Sequence, residues 1–206
     1  VSGFGIGVMA LAFTLVFLPT RVFHIALGGI YALVPFITYE ALRQGAPIHV
    51  AVGAALVVAL LVSTACEKAN HLPLENRRAS VTAHLVSSLG IYILLVQAVV
   101  LIWGNQPKVL RIGLDPVVRL GDLILSYSQL LTAVVAVLLL AMFYFWLKLS
   151  HMGLQFRAAA QNADELALRG YNLHRLRLSA FMVAGVLACG ISLTRAADIG
   201  FTPHGG

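Results

Sequence analysis

The sequence predicts an all-α polytopic membrane protein, and three observations carry that prediction. Of the 206 residues, 60% are apolar and 11% charged, with a mean hydropathy of +0.91; a soluble domain has about 45–50% and about 25%. The charges are segregated, for the stretches 1–20, 22–39, 44–66, 79–107, 123–147 and 178–194 contain none. These stretches are also continuously apolar, as at 56–62 and 134–144, and do not alternate. A bilayer core of about 30 Å takes about 20 helical residues, and barrel strands would alternate. Only a helix satisfies its own backbone polar groups within such a run. About six transmembrane helices are therefore expected, in one domain covering 1–206. A disordered chain, a disulfide-rich secreted module and an ordinary water-soluble enzyme are excluded.

Each element follows in order. In the first run, Gly3-x-x-x-Gly7 reads as a close helix-packing face. A nucleotide-binding glycine loop is not supported there, since no strand precedes it. The second run follows a very short turn at 19–21, which leaves open that one of the first two runs is broken or re-entrant. The third ends at Cys66, and 67–78 reads as a polar loop before the fourth. In 104–126, Gly121-Asp122 separates the mostly apolar stretch 117–120 from the apolar 123–125. That is a hairpin signal, the alternative being a plain amphipathic loop. The sixth run carries Ala184-x-x-x-Ala188 as a second packing face, and Cys66 and Cys189 read as free thiols packed like small hydrophobes.

The net charge is +6 and the pI about 9.8, with no basic stripe interleaved with aromatics to suggest nucleic acid. Lys and Arg gather in cytoplasmic loops. With the N-terminus outside, the inner segments 19–21, 67–78 and 148–177 hold nine basic residues and the outer ones five.

The loop 148–177 is the most informative part of the chain. It is too polar to span a bilayer. Asn162 followed by Glu165 has N-cap spacing, and Asp164 and Glu165 suit a positive helix N-terminus. Arg169 suits the C-terminal end, and Gly170 the left-handed position that stops a helix. The spacing predicts a short helix over 163–169, with Asn172 capping the next one. A short capped helix between two spans suits docking to another protein, the alternative being a solvated linker.

At this loop the residues resemble a known family. Ser150-His151-Met152-Gly153, Arg157-Ala158-Ala159-Ala160-Gln161-Asn162, Ala167 with Gly170-Tyr171-Asn172, and Arg175 resemble the cytoplasmic loop of the permease subunits of branched-chain amino-acid ABC importers. Phe23-His24-Ile25-Ala26-Leu27-Gly28-Gly29-Ile30-Tyr31 resembles that family's segment after the first helix. Ser87-Ser88-Leu89-Gly90-Ile91 through Gln97, and Asp198-Ile199-Gly200-Phe201, resemble two further segments. His24 stands where the family usually has Asn, Leu27 where it has His, and Tyr171 where it has Ile.

The resemblance implies one permease subunit that performs no bond chemistry and binds no cofactor. A second permease subunit, identical or paralogous, completes the pathway. Two cytoplasmic ATPase subunits use ATP and Mg, and an external binding protein delivers the solute. The setting is the bacterial inner membrane. The loop 148–177 becomes the coupling loop, with Gly153, Arg157, Ala160, Asn162, Asp164, Glu165, Gly170 and Asn172 as its coupling residues. The family continues with further helices, so the chain reads as roughly the first two-thirds of a larger permease.

An apolar zwitterionic solute calls for an apolar path with a few polar groups and no fixed charge. Thr14, His24, Tyr31, Ser87, Ser88, Tyr92 and Gln97 are the candidates, since polar groups at membrane depth face protein or water. The alternative for Ser and Thr is a bond to their own helix backbone. His24 lies near the inner turn and reads as an interfacial, water-reached histidine. His24, His49, His71 and His84 share no ligand spacing, so no metal site is expected. A stand-alone secondary transporter or channel is the competing function. It calls for an intramembrane carboxylate, and all eight acidic residues lie outside the charge-free runs.

Overall fold

The computed structural model describes residues 2–110, 117–120 and 123–205, excepting the side chains of Ser2, of 117–120 and 123–125, and of Asp164. Six long helices dominate. α1 covers Ser2–Thr20, α2 Ala26–Arg43 and α3 Ile48–Ala65. A π-helical turn, Cys66–His71, and α4, Leu72–Asn76, continue α3 without a break. α5 covers Val81–Trp103 and α6 Tyr127–Leu149. Two shorter helices, α7 (His151–Gln161) and α8 (Ala163–Leu168), precede α9, Leu173–Ile199. Five of the helical stretches are long and apolar enough to cross a membrane: 3–20, Ile48–Asn76, Val81–Trp103, Tyr127–Leu149 and Leu173–Ile199.

The sixth long helix, α2, falls short of the others in hydropathy because it ends on Tyr39, Glu40 and Arg43 and contains Pro35. It is nevertheless among the most enclosed, burying Leu27, Ile30, Val34 and Phe36. α9 is the other central element and packs on α1, α2, α3 and α6. Its Phe181, Leu187 and Ile191 are buried. α5 and α6 leave Leu94, Leu101, Leu138 and Phe145 exposed, as lipid-facing helices do. Apolar side chains facing lipid gain nothing by helix association, so small residues that permit close packing decide it. α3 supplies a buried row, Ala51, Ala55, Ala59 and Ser63, and α9 meets it at Gly185, where a Cβ would overlap the Ser63 hydroxyl. Ala184 and Ala188 are fully buried in the same seam.

Three sequence expectations need correction. Gly3 and Gly7 meet no other helix among the described residues; Gly5 is the close contact there, beside Arg195 and Ile191 of α9. The segment 67–78 is not a loop, because the helix begun at Ile48 runs on to Asn76. The part of 148–177 before residue 162 is also structured. α7 starts at Ser150, whose hydroxyl accepts from the Met152 amide, and buries Gly153, Phe156 and Ala159 at helical spacing. Gly153 sits where a Cβ would overlap the Leu147 backbone, which fixes the α6–α7 corner.

The hairpin is formed by β1, Val117–Leu120, and β2, Leu123–Ser126, paired antiparallel with Val117 opposite Ser126 and Leu120 opposite Leu123. Gly121 and Asp122 lie outside the described residues. The fifth run therefore starts as strand, and its helix begins where Ser126 and Gln129 cap each other.

The chain's path brings the segments expected on the inner side to one end. A cleft of about 380 Å³ is lined by Thr20 and Arg21, by Glu75, and by Ala160, Asn162, Leu173 and Arg177. The opposite end holds the start of α1, the end of α9 and an antiparallel bridge of Lys108 with Phe201.

Candidate functional site

The segment from Asn162 to Asn172 is built by local chemistry. Asn162 is extended (φ −153°, ψ 98°), and its side chain accepts from the Glu165 amide at 3.1 Å. That satisfies one of the amides a helix start leaves bare. The helix α8 ends at Leu168, one residue before the expected limit, with Arg169 as its C-cap. Arg169 reaches back to Glu165 at 2.6 Å; both are exposed, so that pair adds little stability. Gly170 has φ +85°, a left-handed conformation that glycine adopts without a Cβ penalty. Asn172 accepts from the Arg175 amide at 3.1 Å and starts α9. The side chain of Asp164 lies outside the described residues.

These residues do not all face the same way. Arg157, Asn162, Glu165, Gly170 and Asn172 are exposed, Ala160 is half-buried and Gly153 is buried. Leu166 anchors α8 inward, whereas Leu168 is 88% exposed beside exposed Tyr171. Sequence reading passed over Leu168, though an apolar residue two places from a buried one on a two-turn helix must point elsewhere.

Directly above this loop lies a second group that the sequence did not reveal. Arg177, on the second turn of α9, is buried and donates from Nε to Glu67 Oε1 at 2.8 Å. It also pairs with Glu75. Both carboxylates belong to the continuation of α3, so Glu67 is no loop residue but an acid inside the bundle, fully paired. On the next turn, His71 and His84 stack with their Nδ1 atoms 3.2 Å apart, one imidazole donating to the other. His71 also stands edge-on to His24 at 5.6 Å between ring centroids. Phe181 of α9 packs against both His24 and His71. Three of the four histidines that share no spacing thus meet in space. No group of three or more His, Cys, Asp or Glu among the described residues is arranged to hold a metal ion.

His24 is therefore not water-reached. It is 1% exposed, in the break between α1 and α2, and neither ring nitrogen has a partner among the described residues. Burial, reinforced by the neighbouring His71, lowers its pKa from the usual 6.5 to about 3, so the ring is neutral.

The other pathway candidates have varied surroundings. Thr14 donates to the Ala10 carbonyl of its own helix. Ser88 is fully buried, and its hydroxyl accepts from the Ala26 amide at 3.0 Å, capping α2 from α5. Ser87 donates to Asn70 within the histidine cluster. Gln97 is exposed on α5 and does not enter this chain's interior, and Tyr92 is half-buried. Tyr31 lines a substantial cavity. That cavity, about 540 Å³, lies at the end opposite α8, between α1, α2, α9 and the residues 107–109, 200–202 and 205. Such a volume suits a small organic molecule.

One of three comparisons with known proteins gives a match. A search of curated proteins gives no match, and a search of solved structures gives none. The family model described as branched-chain amino acid transport system / permease component matches residues 1–192. With nearly the whole chain matched and its helices long and apolar enough for a multi-pass membrane protein, the chain belongs to that family of transport permeases.

Proposed function

We propose that this chain is the permease subunit of an ATP-driven ABC importer for branched-chain or related amino acids. It sits in the bacterial inner membrane with its N-terminus and the large cavity outside. One observation carries the coupling part of this reading. The capped helix α8 presents Leu168, Tyr171, Glu165 and Arg169 outward while Leu166 holds it to the bundle. An apolar tip with a charged rim is the surface a groove in a partner ATPase would seat. The partners are two ATPase subunits using ATP and Mg, a second permease subunit and an external binding protein.

The geometry supports alternating access. α8 is joined to α9 through the Gly170 turn, and α9 is the helix on which α1, α2, α3 and α6 pack. A displacement of the docked loop therefore reaches the central helix first. The paired Arg177, with Glu67 and Glu75, carries it to the α3 continuation, and His71 and Phe181 to the start of α2. Such packed polar elements have discrete arrangements and do not deform continuously.

The test is uptake in proteoliposomes with the ATPase and binding protein present. Gly170→Val and Glu165→Lys are expected to leave membrane insertion intact and to reduce uptake per ATP hydrolysed at least tenfold. Unchanged coupling in both variants would overturn the docking role. Uptake against a gradient by this chain without the ATPase would favour the competing reading, a stand-alone secondary transporter or channel.

A further inference from the structure

The cavity beneath the outer end of the bundle contains a cation that the transport reading did not anticipate. Arg195 lies on the penultimate turn of α9 and lines the cavity with Tyr31, Ile6, Met9, Pro35 and Phe201. It is half-buried. No carboxylate lies within ion-pair distance of it among the described residues. The other cation there, Lys108, is engaged, with its Nζ 4.8 Å from the Tyr39 ring and its backbone paired with Phe201.

The surroundings hold the guanidinium in place. Gly5 of α1 leaves room for the stem: a Cβ there would stand 3.1 Å from Arg195 Cδ and 3.5 Å from Nη1. One turn below, Ser192 donates to the Tyr31 carbonyl at 2.5 Å, tying α9 to α2 at the cavity floor. A partly desolvated guanidinium without an anion is costly, and its planar fork matches a carboxylate. The walls offer apolar surface at the distance of a short side chain.

We propose that this cavity is the outer binding site of the permease and that Arg195 receives the carboxylate of an amino acid with an apolar side chain. The inference rests on the importer reading and names the residue that holds the solute before the pathway turns inward. Gly5 is a positioning residue, because it keeps Arg195 at the cavity wall.

The experiment is binding of tritiated L-leucine to the complete permease–ATPase assembly in nanodiscs, without binding protein, with leucinamide and decanoate as competitors. Leucine is expected to be displaced by unlabelled leucine and not by leucinamide, which lacks the carboxylate. Arg195→Leu is expected to weaken binding at least tenfold, Arg195→Lys to retain part of it, and Gly5→Val to weaken it. Leucine binding unchanged in Arg195→Leu would overturn the proposal, as would absence of leucine binding in an assembly that takes leucine up. Displacement by decanoate alone would assign the cavity to a lipid-like carboxylate and also overturn it. Failure of the importer reading is separate: the wild-type assembly with binding protein would hydrolyse ATP without accumulating any amino acid.

Discussion

Arg177 and Arg195 stand on one helix, eighteen residues and so five turns apart, and therefore on the same face. Their provisions are opposite. Arg177 is buried and meets two carboxylates, Glu67 and Glu75. Arg195 is half-buried in a cavity wall and meets none among the described residues. The difference shows that in this bundle a cation's role follows from what faces it. Where the partner is supplied by the chain, the charge is part of the structure. Where it is not, the site is open to a ligand.

The contrast is broken most severely at the inner end. Arg177→Leu leaves Glu67 buried and unpaired, with an expected loss of about 3–5 kcal/mol, measured by thermal unfolding in detergent. Adding Glu67→Leu to it is expected to restore most of that loss, since a buried ion pair replaced by apolar residues is often neutral. If the double variant is as unstable as the single one, the pair is more than a neutralised charge.

The next effect is on pH dependence near the same cluster. The His24 ring stays neutral in the fold down to about pH 3, whereas the unfolded chain takes up its proton below about pH 6.5. Acidification through that window therefore favours unfolding, by about 2 kcal/mol at pH 5, and nothing changes above it. His24→Phe is expected to flatten this acid sensitivity in unfolding scans between pH 7 and 5.

A smaller effect is expected at the start of α8. Asn162→Ala removes the cap on the Glu165 amide, worth about 1 kcal/mol, and should speed amide exchange at Glu165 about fivefold without shifting global unfolding. The smallest is at the outer end. Arg195→Leu removes a partly desolvated, unpaired charge and is expected to leave unfolding unchanged or slightly stabilised, by less than about 0.5 kcal/mol. A large destabilisation there would show that Arg195 is a structural residue like Arg177, and the comparison would collapse.

Legibility in the sequence followed the range of the interactions. The limits of α8 were readable to within one residue, because Asn162, Glu165 and Gly170 act on backbone groups three or four positions away. The spans were readable because charges avoid lipid. α7 was missed because the polar content of 148–161 masks its buried side, Gly153, Phe156 and Ala159. Glu67 beside an apolar run reads as a loop residue until Arg177, 110 positions later, is brought to it. The histidine cluster draws on the α1–α2 break, the π-helical turn, α5 and α9, and no local spacing records that convergence. Gln97 is exposed on α5, and an amide in an apolar run does not reveal which way its helix faces.

The π-helical turn Cys66–His71 has a consequence for the winding of its helix. Every fourth residue from Ala51 to His71 (Ala55, Ala59, Ser63 and Glu67 between them) is buried. In a plain α-helix of about 3.6 residues per turn, such a row creeps around the axis by about 40° at each step. Over five steps it would pass from the inner face to the outer one. A π turn takes more residues per turn and winds the row back. The extra residue held in that turn offsets about half of that drift, and Glu67 and His71 stay on the buried side of the helix.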